Sequence, residues 1–226
     1  MSAAAASLQE LAWLTLNTDC EDYGPATKLI PTLEKETDPD TLIITVDDDK
    51  NVAYPPNFVE ALLRQHLKAP YIAFANAGEM IEIDHFPSSG VRVRSVSHDD
   101  EWEQLVAVDI LQGFQGAIYR RDFFSFESIK IIPNDCFWAE DVWISAELAR
   151  KGITRVRIPC TPSNTWQTDA IVADKPPGAN NYLVGKPKKD RCAAELLPYF
   201  QKSWRQTEQR IPMGFEWLDY LSQRSE

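Results

Sequence analysis

The sequence is poor in residues that commonly build soft metal sites. It has only four cysteines, Cys20, Cys136, Cys160 and Cys192. They lie far apart and form no Cys-x-x-Cys pair, which argues against a zinc site and a thioredoxin-like motif. Widely spaced cysteines of this kind predict reduced thiols in a cytosolic protein. The histidines are also few, and we predict no site role for any of the three, His66, His85 and His98.

Positive charge and long apolar runs are scarce as well. The chain has 23 Lys and Arg residues against 34 Asp and Glu residues, a formal net charge of −11. A nucleic-acid partner requires a basic surface, so this balance argues against one. No run reaches the length of a membrane span, and the start MSAAAAS lacks the basic and apolar regions of a signal peptide. These absences predict a cytoplasmic location without a transmembrane segment.

Hydrophobic residues make up 44% of the 226 residues, enough for a sizeable core. The strand TLIITV is followed by a helix within YPPNFVEALLRQHLKA and then by the strand YIAFAN. A short strand at 11–17 and a helix at 26–36 precede them. Strands that alternate with helices predict an α/β fold with a mostly parallel sheet and helices on its faces.

The later sequence predicts a small antiparallel hairpin and a strong helix. MIEID and VRVRSVS alternate in polarity on either side of HFPSSG, which is typical of a hairpin. A strand within AVDILQGFQGAIYRRDFF, the helix WAEDVWISAELARKG and the strand ITRVRIP follow. Pro, Gly, Asn and Lys in 173–190 predict a loop, with helices near 191–204 and 214–222.

We predict one domain over 1–226, with two segments that differ from its regular part. Residues 1–10 are predicted to be a disordered or helical lead-in. Residues 161–226 are predicted to form a less regular C-terminal part.

Three consecutive aspartates, Asp47, Asp48 and Asp49, follow the strand TLIITV. Because side chains alternate along a strand, Asp47 and Asp49 would share one face. Two carboxylates at a strand end suit Mg²⁺ or Mn²⁺, which would carry a diphosphate. Two alternatives are a solvated strand end and an Asp-x-Asp phosphatase with a nucleophilic first aspartate. The phosphatase would also need a downstream lysine and acidic pair that we cannot assign.

Four segments together resemble a known family. DYGPATKLIPTL, DTLIITVDDDKNVAYPPNFVEALL, LQGFQGAIYRRDFF and AEDVWISAELARKGI occur in this order within residues 13–160. The order is similar to that in GT-A-type glycosyltransferases of the inverting, family-two-like group. The resemblance implies a GT-A-like (Rossmann-like) fold, a UDP- or GDP-sugar donor, Mn²⁺ or Mg²⁺, and a glycan or other hydroxyl acceptor.

The resemblance also implies site residues. The metal would be held by Asp47 and Asp49. Donor-binding positions would be Asp22, Lys28, Asp47, Asp48, Gly113 and Gly116. The catalytic base would be Asp141, with Glu140 beside it. Inverting transfer needs a carboxylate that takes the acceptor proton, and a cation that stabilises the leaving diphosphate.

Each of these residues also has a simpler explanation, and the match is incomplete. Glu140 and Asp141 could complement a helix dipole, Gly113 and Gly116 could permit a turn, and Lys28 could be a solvated helix lysine. Members of the group begin with a further strand and helix, and many have a late metal-ligating histidine; neither is matched here. A nucleotide-sugar-binding protein without turnover and a metal-dependent phosphoryl or nucleotidyl transferase are therefore alternatives.

Overall fold

The fold is described from a computed structural model. It describes residues 13–15, 17–47, 54, 56–83, 90–95, 105–158 and 181–207. The described strands are β1 (Leu42–Thr45), β2 (Ile72–Ile83), β3 (Val91–Ser95), β4 (Val106–Ala107), β5 (Ile110–Arg120) and β6 (Thr154–Arg157). They form one sheet in the order β1-β5-β2-β6-β4, and β3 pairs with the far end of β2.

The sheet is mostly antiparallel, so the prediction of a mostly parallel, Rossmann-like sheet is wrong. In the described residues, only β2 and β6 pair in parallel. β1 and β2 do run in the same direction, because each is antiparallel to β5, which lies between them. The alternation of strand and helix therefore predicted correctly that β1 and β2 run in the same direction. It did not predict that β5 lies between them. The predicted hairpin is confirmed as the antiparallel pair β2–β3.

A short 3₁₀ helix spans Gly24–Lys28, and the α-helices are α1 (Ile30–Lys35), α2 (Phe58–Lys68), α3 (Phe126–Ile129), α4 (Glu140–Arg150) and α5 (Asn181–Thr207). The predicted helices within YPPNFVEALLRQHLKA and WAEDVWISAELARKG are thus confirmed as α2 and α4. The helix predicted over 26–36 is divided between the 3₁₀ helix and α1. No helix among the described residues is both long and apolar enough to cross a membrane.

Two local predictions are wrong. Residues 13–15 and 17 are not in a strand, although one was predicted over 11–17. Residues 181–190 belong to α5, although a loop was predicted over 173–190. The remainder of that loop and the predicted helix at 214–222 lie outside the described residues. Of the predicted less regular part, 161–226, the structure describes one long helix.

The core lies on both faces of the sheet. One buried cluster packs α2 against the sheet through residues such as Phe58, Leu62 and Phe74. The other includes Ala73 and Ala75 of β2, together with buried residues of α1, α4 and α5. Alternate residues of β2 therefore face opposite clusters, as the two-residue period of a strand requires.

A disulfide joins Cys136 to Cys192, with their Cα atoms 4.8 Å apart. The prediction of reduced thiols is therefore wrong for this pair, which is far apart in sequence but adjacent once α5 packs beside α4. Cys20 is a free thiol, and Cys160 lies outside the described residues. Disulfides are typical of oxidising compartments, so this bond does not favour the predicted cytoplasmic location.

Candidate functional site

Lys28 joins the two acidic segments that the sequence singled out. Its Nζ lies 2.6 Å from Oδ1 of Asp47, just after β1, and 3.0 Å from Oε1 of Glu140, at the start of α4. All three side chains are largely buried, with exposed fractions of 14% for Lys28, 26% for Asp47 and 14% for Glu140. We call Lys28, Asp47, Glu140 and Asp141 the Lys28 cluster. The fold thus brings the strand end and the helix start into one site.

Tyr54 fixes the backbone at Asp47. Its hydroxyl accepts a hydrogen bond from the Asp47 N–H at 3.0 Å. The same hydroxyl lies 3.0 Å from the Asp47 carbonyl oxygen and 3.2 Å from that of Phe114, so it can donate to one of them. The Tyr54 ring packs on Phe58 of α2, with ring centroids 4.8 Å apart. Helix α2 therefore helps to hold the segment after β1 against β5.

A bulge in β5 forms one wall of the site. Ala75 of β2 pairs with Ala117, but Ala77 pairs with Gln112, so residues 113–116 lie opposite Asn76 alone. The side-chain amide of Asn76 donates to the Gln115 carbonyl oxygen at 2.8 Å and supports the bulge. Bulges of this kind redirect backbone groups out of the ladder. Here the Gly113 N–H donates to Oδ1 of Asp141 at 2.9 Å.

Asp141 has the electrostatic environment of a proton acceptor. Burial and the neighbouring charge of Glu140 raise its pKa to about 7. The positive charges of Lys189 and Lys28 and the Gly113 N–H oppose this rise. A carboxylate with a pKa near neutrality suits general base catalysis, since it can both take up and release a proton at working pH.

Glu140 has a different environment from its neighbour. Its carboxylate is paired with the Lys28 ammonium group. Burial lowers the pKa of Lys28, but Asp141, Glu140 and Asp47 raise it above its ordinary value, so this lysine stays charged. Two adjacent carboxylates in unlike environments indicate two roles. Glu140 holds Lys28, whereas Asp141 is the group that can exchange a proton.

Lys189 lies in α5, although the sequence predicted a loop over 173–190. Its Nζ lies 2.5 Å from Oε2 of Glu79, a buried residue of β2. Burial lowers the pKa of Lys189, but the negative charges of Asp141 and Glu79 raise it by more, so the net change is upward. The lysine run GKPKKD was the available signal. The proline and glycine around this run predicted a basic surface loop, with closure of the lysines over a diphosphate as the alternative.

The site is negatively charged as a whole. Asp47, Glu140 and Asp141 contribute three carboxyl groups against the single ammonium group of Lys28. An anionic diphosphate would be repelled here unless a cation came with it. The net negative charge of the site therefore favours the binding of a divalent cation.

The ligand set for such a cation is only partly described. Of the predicted metal ligands, Asp47 is described, while Asp49 and the adjacent Asp48 lie outside the described residues. The residues that are described contain no group of three His, Cys, Asp or Glu side chains placed to hold a metal ion. The metal prediction therefore rests on Asp47 and Asp49 acting together.

Two predicted donor-binding residues, Asp22 and Gly116, make structural contacts within the chain. The Asp22 carboxylate is exposed and accepts a hydrogen bond from the Gly24 N–H at 2.8 Å, which stabilises the turn before the 3₁₀ helix. Gly116 has a φ of +91°, and a Cβ at this position would lie 2.2 Å from the Phe58 ring. These contacts give both residues a structural role, and their donor-binding roles stay predictions.

Comparison with known proteins adds no assignment. No protein-family model matches the chain, and no curated protein matches it. The quoted sequence segments and the geometry of the Lys28 cluster are therefore the observations that bear on function.

Proposed function

We propose that the protein transfers a sugar from a UDP- or GDP-sugar to a hydroxyl group of a glycan or another acceptor, with inversion and with a divalent metal. The observation that carries this proposal is the bridge from Lys28 to Asp47 and Glu140. Transfer needs an acidic group for the cation that accompanies the diphosphate and a separate base for the acceptor. The bridge puts candidates for both in one site.

Asp141 is the proposed base. In a single displacement at the anomeric carbon, the acceptor oxygen forms the new bond as its proton passes to a carboxylate. The Gly113 N–H orients the Asp141 carboxylate, and the pKa of about 7 lets it accept this proton near neutral pH. Glu140 is less suited to the role, because its carboxylate is engaged by Lys28.

Asp47 and Asp49 are the proposed holders of Mn²⁺ or Mg²⁺. When bound, the ion would offset the charge that develops on the departing nucleoside diphosphate. Lys28 adds a fixed positive charge next to Asp47 and stays protonated because three carboxylates surround it. The excess of carboxylates in the site supports metal dependence, since the donor alone would be repelled.

One observation favours a second candidate, a nucleotide-sugar-binding protein without turnover. The Asp47 carboxylate is already engaged by Lys28 at 2.6 Å, so a cation must share or displace this contact. If the contact persists with donor present, the protein would bind the nucleotide sugar but fail to activate its leaving group.

A panel of UDP- and GDP-sugars, with and without Mn²⁺, tests the proposal. We expect sugar release or transfer only with metal. Asp49→Ala should abolish it. Asp141→Asn should lower kcat by roughly 10²–10⁴-fold while donor binding persists. The matched control is Asp40→Asn, whose carboxylate is 78% exposed and should be dispensable.

The same assays separate the candidates. Donor binding by calorimetry without turnover on any sugar would support the binding protein. Full activity of Asp49→Ala would exclude the metal role. Loss of donor binding in Asp141→Asn would show that Asp141 is structural and not the base.

A further inference from the structure

The Lys28 ammonium group pairs with the carboxylate that is proposed to hold the metal ion. Its Nζ lies 2.6 Å from Oδ1 of Asp47 and 3.0 Å from Oε1 of Glu140. A Cβ at Gly113 would lie 3.2 Å from the same nitrogen, so the ammonium lies against the backbone of the β5 bulge. Lys28 and a divalent cation would therefore compete for one carboxylate.

We propose that Lys28 is an exchangeable counter-ion, which gives up Asp47 to a divalent cation, keeps Glu140, and then binds the diphosphate of the nucleotide. This inference rests on the proposed function for the cation and the donor. The exchange itself is a binding equilibrium, so it is measured without sugar transfer.

Asp47 is held in place, whereas the end of Lys28 can move. The Asp47 N–H donates to the Tyr54 hydroxyl at 3.0 Å, which fixes the backbone just after β1. Lys28 is the last residue of the 3₁₀ helix, and its ammonium ends a long, flexible side chain. Of its two carboxylate partners, Asp47 is the more exposed, so an ion from solvent reaches that one first. The contact between Lys28 and Asp47 is therefore the one that exchanges.

Glu140 keeps Lys28 in the site after the exchange. Glu140 is the first residue of α4, and the Asp141 carboxylate beside it accepts a hydrogen bond from the Gly113 N–H at 2.9 Å. The start of α4 is thus held against β5. Because Lys28 retains Glu140, its ammonium stays close to the strand end that carries Asp47. There it can contact a phosphate that arrives with the cation, as lysine does in many phosphate sites.

The exchange predicts that the cation and the nucleotide favour each other's binding. Without nucleotide, the ammonium and the cation repel each other and compete for Asp47, so Lys28 weakens cation binding. With nucleotide, the ammonium pairs with the diphosphate, and the same lysine strengthens nucleotide binding. Removal of the Lys28 charge should therefore change the two affinities in opposite directions, whereas a structural defect would lower both.

Calorimetric titration of the intact protein with MnCl₂ alone, and then with UDP or GDP at saturating Mn²⁺, tests this inference. We expect Lys28→Met to bind Mn²⁺ about 10-fold more tightly than wild type. We expect the same variant to bind UDP or GDP about 10-fold more weakly, because a charged hydrogen-bond donor is lost. Lys35→Met, at an exposed lysine at the end of α1, is the matched control and should change neither affinity.

Further variants cover misfolding, because Lys28→Met removes a partner from two largely buried carboxylates. Lys28→Met/Glu140→Gln removes one charge of each sign and should bind Mn²⁺ more tightly than Glu140→Gln alone. Lys28→Met/Asp47→Asn should lose the gain in Mn²⁺ affinity, which would assign the ion to Asp47.

The outcomes separate the exchange from the proposed function. Mn²⁺ affinity that is unchanged or lowered when Lys28 is removed would overturn the exchange, as would failure of both proteins to bind Mn²⁺. The expected opposite shifts without sugar transfer from any donor would support the exchange and contradict only the proposed function. Metal-dependent transfer with a Mn²⁺ affinity insensitive to Lys28 would contradict only the exchange.

Discussion

Gly113 and Gly116 lie at the two ends of the β5 bulge and meet different constraints. At Gly116 the backbone has a φ of +91°, and the Phe58 ring occupies the space that a side chain would need. At Gly113 a Cβ would lie 3.2 Å from Nζ of Lys28 and 3.4 Å from Oδ1 of Asp141. Gly116 is therefore constrained by packing in the core, whereas Gly113 lies against Lys28 and Asp141 of the Lys28 cluster.

Gly116→Ala should destabilise the protein strongly. A positive φ in a non-glycine residue costs roughly 1–3 kcal/mol, and overpacking against a ring adds a similar amount. We expect urea unfolding to show a free energy of unfolding lower by about 2–5 kcal/mol. Adding Phe58→Leu should recover part of the loss. If the changes in the free energy of unfolding caused by the two single substitutions simply added in the double variant, the proposed clash would be contradicted.

Gly113→Ala should affect activity more than stability. The closest atom, Nζ of Lys28, is the end of a flexible side chain and can move by a few tenths of an ångström. We expect a loss of stability within about 1 kcal/mol but a fall in kcat of about 10-fold or more, because the Lys28–Asp141 geometry shifts. If Gly113→Ala lost as much stability and as much activity as Gly116→Ala, the loss of activity would follow from destabilisation. Gly113 would then have no specific role in the site.

At the scale of elements, α5 shows how tertiary contacts override local composition. Its first turns include Gly185 and Pro187, and this stretch resembles a loop in sequence. The residues that follow are bonded or paired to β2, β3 and the segment before α4. These contacts join positions far apart in the chain, so no local window could reveal them.

The Cys136–Cys192 disulfide should stabilise the fold that α5 completes. It closes a loop with a sequence separation of 56 residues. Removing it by Cys136→Ser/Cys192→Ser should lower the free energy of unfolding by about 2–4 kcal/mol, since the unfolded chain gains freedom. Urea unfolding with Cys20→Ser as the control would check this. Equal stability of the oxidised and reduced wild-type protein would contradict it.

At the scale of the whole molecule, the raised pKa of Asp141 makes the free energy of unfolding fall as pH rises. Its folded-state pKa of about 7 lies above the ordinary value of 3.8, so the native state binds this proton more tightly than the unfolded state does. The contribution of Asp141 to stability is then fully present below about pH 4 and is lost as pH rises through about 7. Carboxylates with lowered pKa values would show the opposite trend.

Asp141→Asn should therefore be more stable than wild type at pH 8, and the difference should shrink toward pH 4. The amide oxygen of asparagine can still accept the hydrogen bond from the Gly113 N–H, while the buried charge is gone. Urea unfolding of both proteins at several pH values measures the difference, which should be on the order of a few kcal/mol at pH 8. A difference independent of pH would contradict the raised pKa.

The sequence by itself determined the local elements and the identity of the acidic segments. Helices α2 and α4 follow from apolar spacing and from acidic residues in the first turn, which are properties of neighbouring residues. Hydrophobic and β-branched runs likewise located β1 and part of β2. The sequence also singled out Asp47, Lys28, Glu140 and Asp141, from their residue types and from the order of four segments, and their roles stay predictions.

Only the tertiary structure decided which of these parts meet. β5 lies between β1 and β2, Lys189 of α5 pairs with Glu79 of β2, and Cys136 is bonded to Cys192. Strand neighbours, ion pairs and disulfides join residues far apart in the chain, and their free energy depends on the packing of the whole sheet and its helices. Local sequence patterns contain no information on that packing. The sequence could therefore indicate the candidate site residues, but not the strand neighbours, ion pairs and disulfide of the fold that holds them.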